Sequence, residues 1–69
     1  MGLYKYRIIA PGTQGKAEHI AETRAEVEHF IPHGEQRLVK RYQGTRKLAA
    51  YRVERDMRGG VLWTQLPKS

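Results

Sequence analysis

The sequence predicts an α+β fold of order β-α-β-β-β, one helix packed on one face of a mostly antiparallel four-stranded sheet. Three features carry that expectation. The first segment alternates with period two, a central segment places apolar residues at helical spacing, and glycine-centred turn signals divide the remainder into strands.

The first strand spans Leu3 to Ala10, with Tyr4, Tyr6 and Ile8 on one face and Lys5, Arg7 and Ile9 on the other. Pro11-Gly12-Thr13-Gln14-Gly15 ends it with strong turn chemistry. The helix is expected over Lys16 to Ile31, where Ala17, Ile20, Ala21, Val27 and Ile31 form an apolar stripe. Arg24 falls within that stripe and is expected to snorkel, its stem on the core and its guanidinium in water. Glu18, Glu22, Glu26 and His29 project from the opposite side, and Pro32-His33-Gly34 stops the helix.

Arg37 to Gln43 and Lys47 to Arg55 flank Gly44-Thr45, a two-residue loop suited to a type II′ hairpin. Pairing Gln43 with Arg46 puts Leu38, Lys40, Tyr42, Lys47, Ala49, Tyr51 and Val53 on the helix side. Arg37, Val39, Arg41, Arg46, Leu48, Ala50, Arg52 and Glu54 then fall on the outer side. Asp56-Met57-Arg58-Gly59-Gly60 forms a further turn into a last strand, Val61 to Leu66, stopped by Pro67. A second helix over Lys47 to Met57 is the competing reading, but Ala49, Tyr51 and Val53 alternate as a strand does. The side taken by Trp63 depends on the register of the Asp56 to Gly60 turn and stays open.

Sixty-nine residues make one domain, since a core of this size already buries only about 60% of the unfolded chain's surface. The absence of cysteine excludes disulfides, thiolate zinc sites and thiol nucleophiles, and suits a reducing, cytoplasmic setting. No apolar run approaches the roughly 20 residues of a membrane span, and no secretory signal is expected.

Catalytic chemistry is not expected. The single serine is Ser69, and His19, His29 and His33 lack metal-ligand companions at useful spacing. The i, i+4 ladder of Glu18, Glu22 and Glu26 lacks the apolar surroundings that would raise a pKa for acid work. Pro11 to Lys16 leads toward the predicted helix but lacks the spacing of a phosphate loop. Lys16 at that helix start could hold one phosphate. No cofactor and no metal are implied.

The formal net charge of +6 is concentrated in the second half of the chain. Residues 16 to 30 set two cations against four glutamates; residues 37 to 58 set eight cations, six of them arginines, against two acids. Arginine's planar fork binds phosphate bidentately and stacks on bases, and cross-strand neighbours lie about 5 Å apart. The expected function is therefore a non-catalytic nucleic-acid-binding protein, for DNA or RNA, weakly sequence-specific and salt-sensitive. Its expected contacts are Arg37, Arg41, Arg46 and Arg52 on the outer sheet face, with Arg55, Arg58 and Lys47 beside them. The alternative is a small protein-binding inhibitor or adaptor of the phage or mobile-element kind, for example a CRISPR-complex inhibitor. Such a protein would use both the basic sheet, docked on an acidic protein surface, and the Glu18, Glu22 and Glu26 face. A homodimer joined through edge strands is a third expectation.

Overall fold

Six elements follow one another in the computed structural model, which describes residues 4–12 and 15–67. They are β1 (Tyr4–Ile9), β2 (Ala17–Ala21), α1 (Arg24–Phe30), β3 (Gln36–Gln43), β4 (Arg46–Arg55) and β5 (Val61–Gln65). The strands form one antiparallel sheet in the order β2-β1-β3-β4-β5. The expected α+β class with a single helix stands, but the sheet has five strands rather than four. Of the expected first strand, Leu3 lies outside the described residues, as do Thr13 and Gln14 of the turn that follows it.

The fifth strand comes from the segment expected to open the helix. Residues Ala17 to Ala21 pair with β1, Tyr6 opposite Ala21, Arg7 opposite Ile20 and Ile8 opposite His19. A 3.0 Å bond from the Ala10 N–H to the Lys16 carbonyl closes this β-hairpin. Lys16 therefore leads into a strand, not a helix, and the phosphate site expected at a helix start there does not form.

What delays the helix is its cap. Thr23 is extended (φ −133°, ψ 160°), and its hydroxyl accepts a 3.1 Å bond from the Glu26 N–H. The Glu26 carboxylate reaches back to accept the Glu22 N–H at 2.8 Å. This is a capping box shifted by one residue, satisfying one unpaired amide of the first helical turn and the Glu22 amide just before the cap. The helix ends at Ile31, whose ψ of 123° suits the residue before Pro32.

α1 lies on one face of the sheet, where Tyr6, Ile8, Ala21, Val27, Ile31, Val39, Ala49, Tyr51 and Val53 form the core. Ile8, Val27, Ile31, Val39 and Val53 are fully enclosed. Phe30 stacks on His19 with ring centres 4.5 Å apart. Trp63 settles on this same face. Its ring meets Tyr51 and Tyr6 edge-on at 5.4 and 6.0 Å, and its indole N–H donates to Glu28 Oε2 at 2.7 Å. Arg24 is exposed, as a snorkelling residue should be, with its guanidinium 4.7 Å over the indole.

The β3–β4 turn keeps the expected register at its tip and loses it one step later. Gly44 has φ 62° while Thr45 stays at negative φ, as a type II′ loop requires. Gln43 pairs with Arg46 and Tyr42 with Lys47, but Arg41 then pairs with Ala49, leaving Leu48 as the extra residue of a bulge. Beyond that bulge β3 is inverted relative to expectation. Ala49, Tyr51 and Val53 face the helix as anticipated, joined there by Arg37, Val39 and Arg41. Leu38, Lys40 and Tyr42 face away.

Candidate functional site

The arginines expected on one shared face are distributed around the molecule, and each position has a local cause. Arg37 lies on the helix side with its side chain 9% exposed. Its Nε donates to Glu18 at 3.1 Å and its Nη1 to Glu35 at 2.9 Å. Burial acts to lower its pKa, but the bonds to Glu35 and Glu18 outweigh that and hold it above the usual arginine value. Arg37 is a fixed, paired cation.

Arg55 is likewise committed to the fold. Its Nη1 donates to the Glu28 carbonyl at 3.2 Å and the Ile31 carbonyl at 3.1 Å, closing the helix C-terminus. Its Nε is buried with no partner among the described residues. Arg41 stands between Tyr6 and Ala49 on the helix side, its guanidinium 5.2 Å from the Tyr4 ring centre and its Nε also buried without a partner among the described residues. Arg46 and Lys47 sit exposed at the β3–β4 tip. Arg58 lies in the β4–β5 turn, where its amide donates to Asp56 Oδ1 at 2.8 Å. The ten-residue β4 separates these two ends by roughly 30 Å at about 3.3 Å per residue. Of the expected set, Arg52 and Lys47 alone have strand positions on the face away from the helix. Arg52 meets Glu54 at 3.9 Å, both side chains well exposed.

The acidic ladder is also dismantled. Glu18 sits at the bulge of the β1–β2 hairpin and holds Arg37, Glu22 precedes the helix, and Glu26 closes the capping box. They do not share a helix face.

A different set of cations gathers on the open side of the sheet, which no helix among the described residues covers. Rows across the strands can be read from the pairing. Lys5 lies opposite Tyr42, which lies opposite Lys47. One row on, Arg7 faces Ile20 on one side and Lys40 on the other, and Lys40 faces Ala50. In the next row Ile9 faces Leu38, which faces Arg52, which faces Thr64. Ile9 is buried yet outside the core cluster, so this side has its own small apolar floor.

Among the described residues, none of Lys5, Arg7, Lys40 and Lys47 makes an ion pair. Arg7 and Lys40 stand directly opposite one another, where side chains begin about 5 Å apart and like charges destabilise. The Arg7 guanidinium lies 4.7 Å over the centre of the Tyr42 ring, a cation–π contact between diagonal neighbours on the open side. Lys5, Arg7, Lys40 and Tyr42 were absent from the expected contacts. The alternation of Lys5 and Arg7 along β1 was a usable signal for two of them; Lys40 and Tyr42 were hidden by the bulge.

At the far end of the sheet a cleft of about 690 Å³ is lined by Glu35, Gln36, Glu54, Arg55, Asp56, Met57 and Leu62, among others. All three of its acids are already engaged, Glu35 by Arg37, Glu54 by Arg52, and Asp56 by the amides of Arg58 and Gly60. No helix among the described residues is long and apolar enough to cross a membrane. No family model, curated protein or solved structure matches this chain.

Proposed function

We propose that this chain is a non-catalytic nucleic-acid-binding protein that lays the open side of its sheet against phosphates. Lys5, Arg7, Lys40, Lys47 and Arg52 supply the charge. The observation that carries the reading is the Arg7–Lys40 pair: two cations on neighbouring strands, facing solvent, with no ion pair to offset either among the described residues. A folded protein that holds such a pair gives up stability for it, and a polyanion returns that cost on binding.

Arg7, lying over Tyr42, is suited to a bidentate phosphate contact; the lysines act as point charges along the backbone. Among the described residues the face has no groove-sized helix and no run of exposed aromatics, so base-edge readout is weak and affinity comes chiefly from counter-ion release. If all five cations meet phosphates of a duplex, the log–log dependence of affinity on salt has a slope of about −4 to −5.

The test is a salt series of fluorescence-anisotropy titrations with single- and double-stranded DNA and RNA oligonucleotides, comparing the parent with Arg7→Gln/Lys40→Gln. The double variant should bind more weakly and flatten the duplex slope by about two units. Undiminished binding by the variant removes the open face from the interaction. A second reading, a protein-binding adaptor or inhibitor, draws on Ile20 and Leu62, 50% and 60% exposed on this same side. Absence of binding to every oligonucleotide at low salt would favour it.

A further inference from the structure

We infer that β5 is the joint of a symmetric dimer, in which the Val61–Gln65 edges of two copies of this chain pair antiparallel about Trp63. The inference concerns a different part of the molecule from the charged rows and does not depend on what the open face binds.

The two edges of the sheet are built differently. Edge strands expose unpaired N–H and C=O groups, and natural sheets blunt them with charge, bulges, proline or a covering element. β2 is blunted: its pairing with β1 is broken by a bulge between Ile8 and Ile9, and it carries Glu18. β5 is not. Its sequence Val-Leu-Trp-Thr-Gln has no charged residue and no proline, and its pairing with β4 runs without a register shift.

The hydrogen bonds say which backbone groups are free. The Leu66 N–H donates to the Ala50 carbonyl at 2.9 Å, and the Gly60 carbonyl accepts the Asp56 N–H at 2.9 Å. In an antiparallel ladder the inward-bonding residues alternate, so Gly60, Leu62, Thr64 and Leu66 turn their backbone groups toward β4. Val61, Trp63 and Gln65 turn theirs outward. The next outward positions cannot extend this run. Pro67 has no N–H, and the Gly59 N–H is bonded to the Asp56 carbonyl at 3.1 Å.

That outward run has three members and is centred on Trp63, which makes it complementary to itself. Antiparallel pairing sets Trp63 against the partner's Trp63 and Val61 against the partner's Gln65, and each facing pair exchanges two hydrogen bonds. Without charge on the strand, no like charges meet. The Trp63 ring leans inward over Tyr51 and Tyr6 rather than overhanging the edge, so the approach is clear. On the open side Leu62, 60% exposed, lies beside the partner's Thr64. The dyad of such a pair is perpendicular to the sheet. Both open sides thus face one way, and a blunted β2 at each outer end closes the assembly at two copies.

Sedimentation velocity without nucleic acid, up to the concentrations used for NMR, should show a species of twice the chain's mass. In that species the amides of Val61, Trp63 and Gln65 should exchange about tenfold or more slower than in the dilute protein, while Leu62 and Thr64 are protected in both. Leu62→Lys and Gln65→Pro should each give a monomer with unchanged circular dichroism, because neither removes a bond to β4. A monomer at every concentration overturns the inference. So does a dimer that leaves the Val61, Trp63 and Gln65 amides fast, a dimer unaffected by both variants, or an open-ended series of larger species.

Discussion

The two sides of this sheet use positive charge in opposite ways. On the helix side, Arg37 is nearly enclosed and held by Glu18 and Glu35, Arg55 closes the helix end, and Arg24 lies over Trp63. These cations have partners inside the molecule, and the fold needs them. On the open side, Lys5, Arg7, Lys40 and Lys47 make no ion pair among the described residues, and two of them repel each other. The fold does not need these. Net charge alone cannot tell the two uses apart, whereas the presence or absence of an internal partner can. A charge that stabilises the native state is poorly placed to be given to a ligand as well.

Breaking the comparison from the helix side should cost most. Arg55→Ala removes the donor to two helix-end carbonyls in a part-buried setting and should destabilise by about 2–3 kcal/mol, read from the midpoint of urea unfolding. The salt slope of oligonucleotide binding, measured where the variant is folded, should not change. A flattened slope would put Arg55 in contact with ligand and erase the distinction. Arg37→Ala leaves Glu18 and Glu35 without their shared cation and should cost about 1–3 kcal/mol, again with the slope intact. Thr23→Ala removes the cap that fixes where the helix begins, for about 1 kcal/mol.

That last residue also shows how much of this structure could be read from the sequence. The α+β class, the β3–β4 hairpin with its Gly44-Thr45 loop, and the helix stop before Pro32 were legible because local chemistry decides them. The helix start was legible in principle: Thr23-Arg24-Ala25-Glu26 is a capping-box spacing, and it sits after a segment in which His19 and Ala21 alternate with Glu18 and Ile20. The apolar spacing of Ala17, Ile20 and Ala21 fits a helix equally well, and two alanines carry little weight in either pattern. The site was less legible, for one geometric reason. A bulge at Leu48 inverts β3 against β4, so a correct turn register gave the wrong face for every residue from Arg37 to Tyr42, and for Arg46 and Lys47. Nothing local marks Leu48 as the extra residue. It is set by the need to bury Val39 between Ile8 and Tyr51 while Ala49 and Val53 also face the helix.

On the open side the expected change in stability is the smallest, and its sign is what matters. Lys40→Gln keeps most of the side chain's reach and removes its charge, relieving the repulsion from Arg7. The variant should be as stable as the parent or more stable by a few tenths of a kcal/mol, about the scale of a cross-strand pair. Arg7→Gln relieves the same repulsion but also gives up the contact with Tyr42, worth about 0.5–1 kcal/mol at an exposed site, so its net effect should lie near zero or slightly below. Once either charge is gone, removing the other can relieve nothing further. The double variant should therefore be less stable than the sum of the two single effects, a coupling that a double-mutant cycle measures directly. Raising the salt concentration should shrink that coupling, because both groups face solvent and are screened. A clear loss of stability in Lys40→Gln would show instead that Lys40 has a partner within the fold, and the open side would then be built on the same principle as the side that carries the helix.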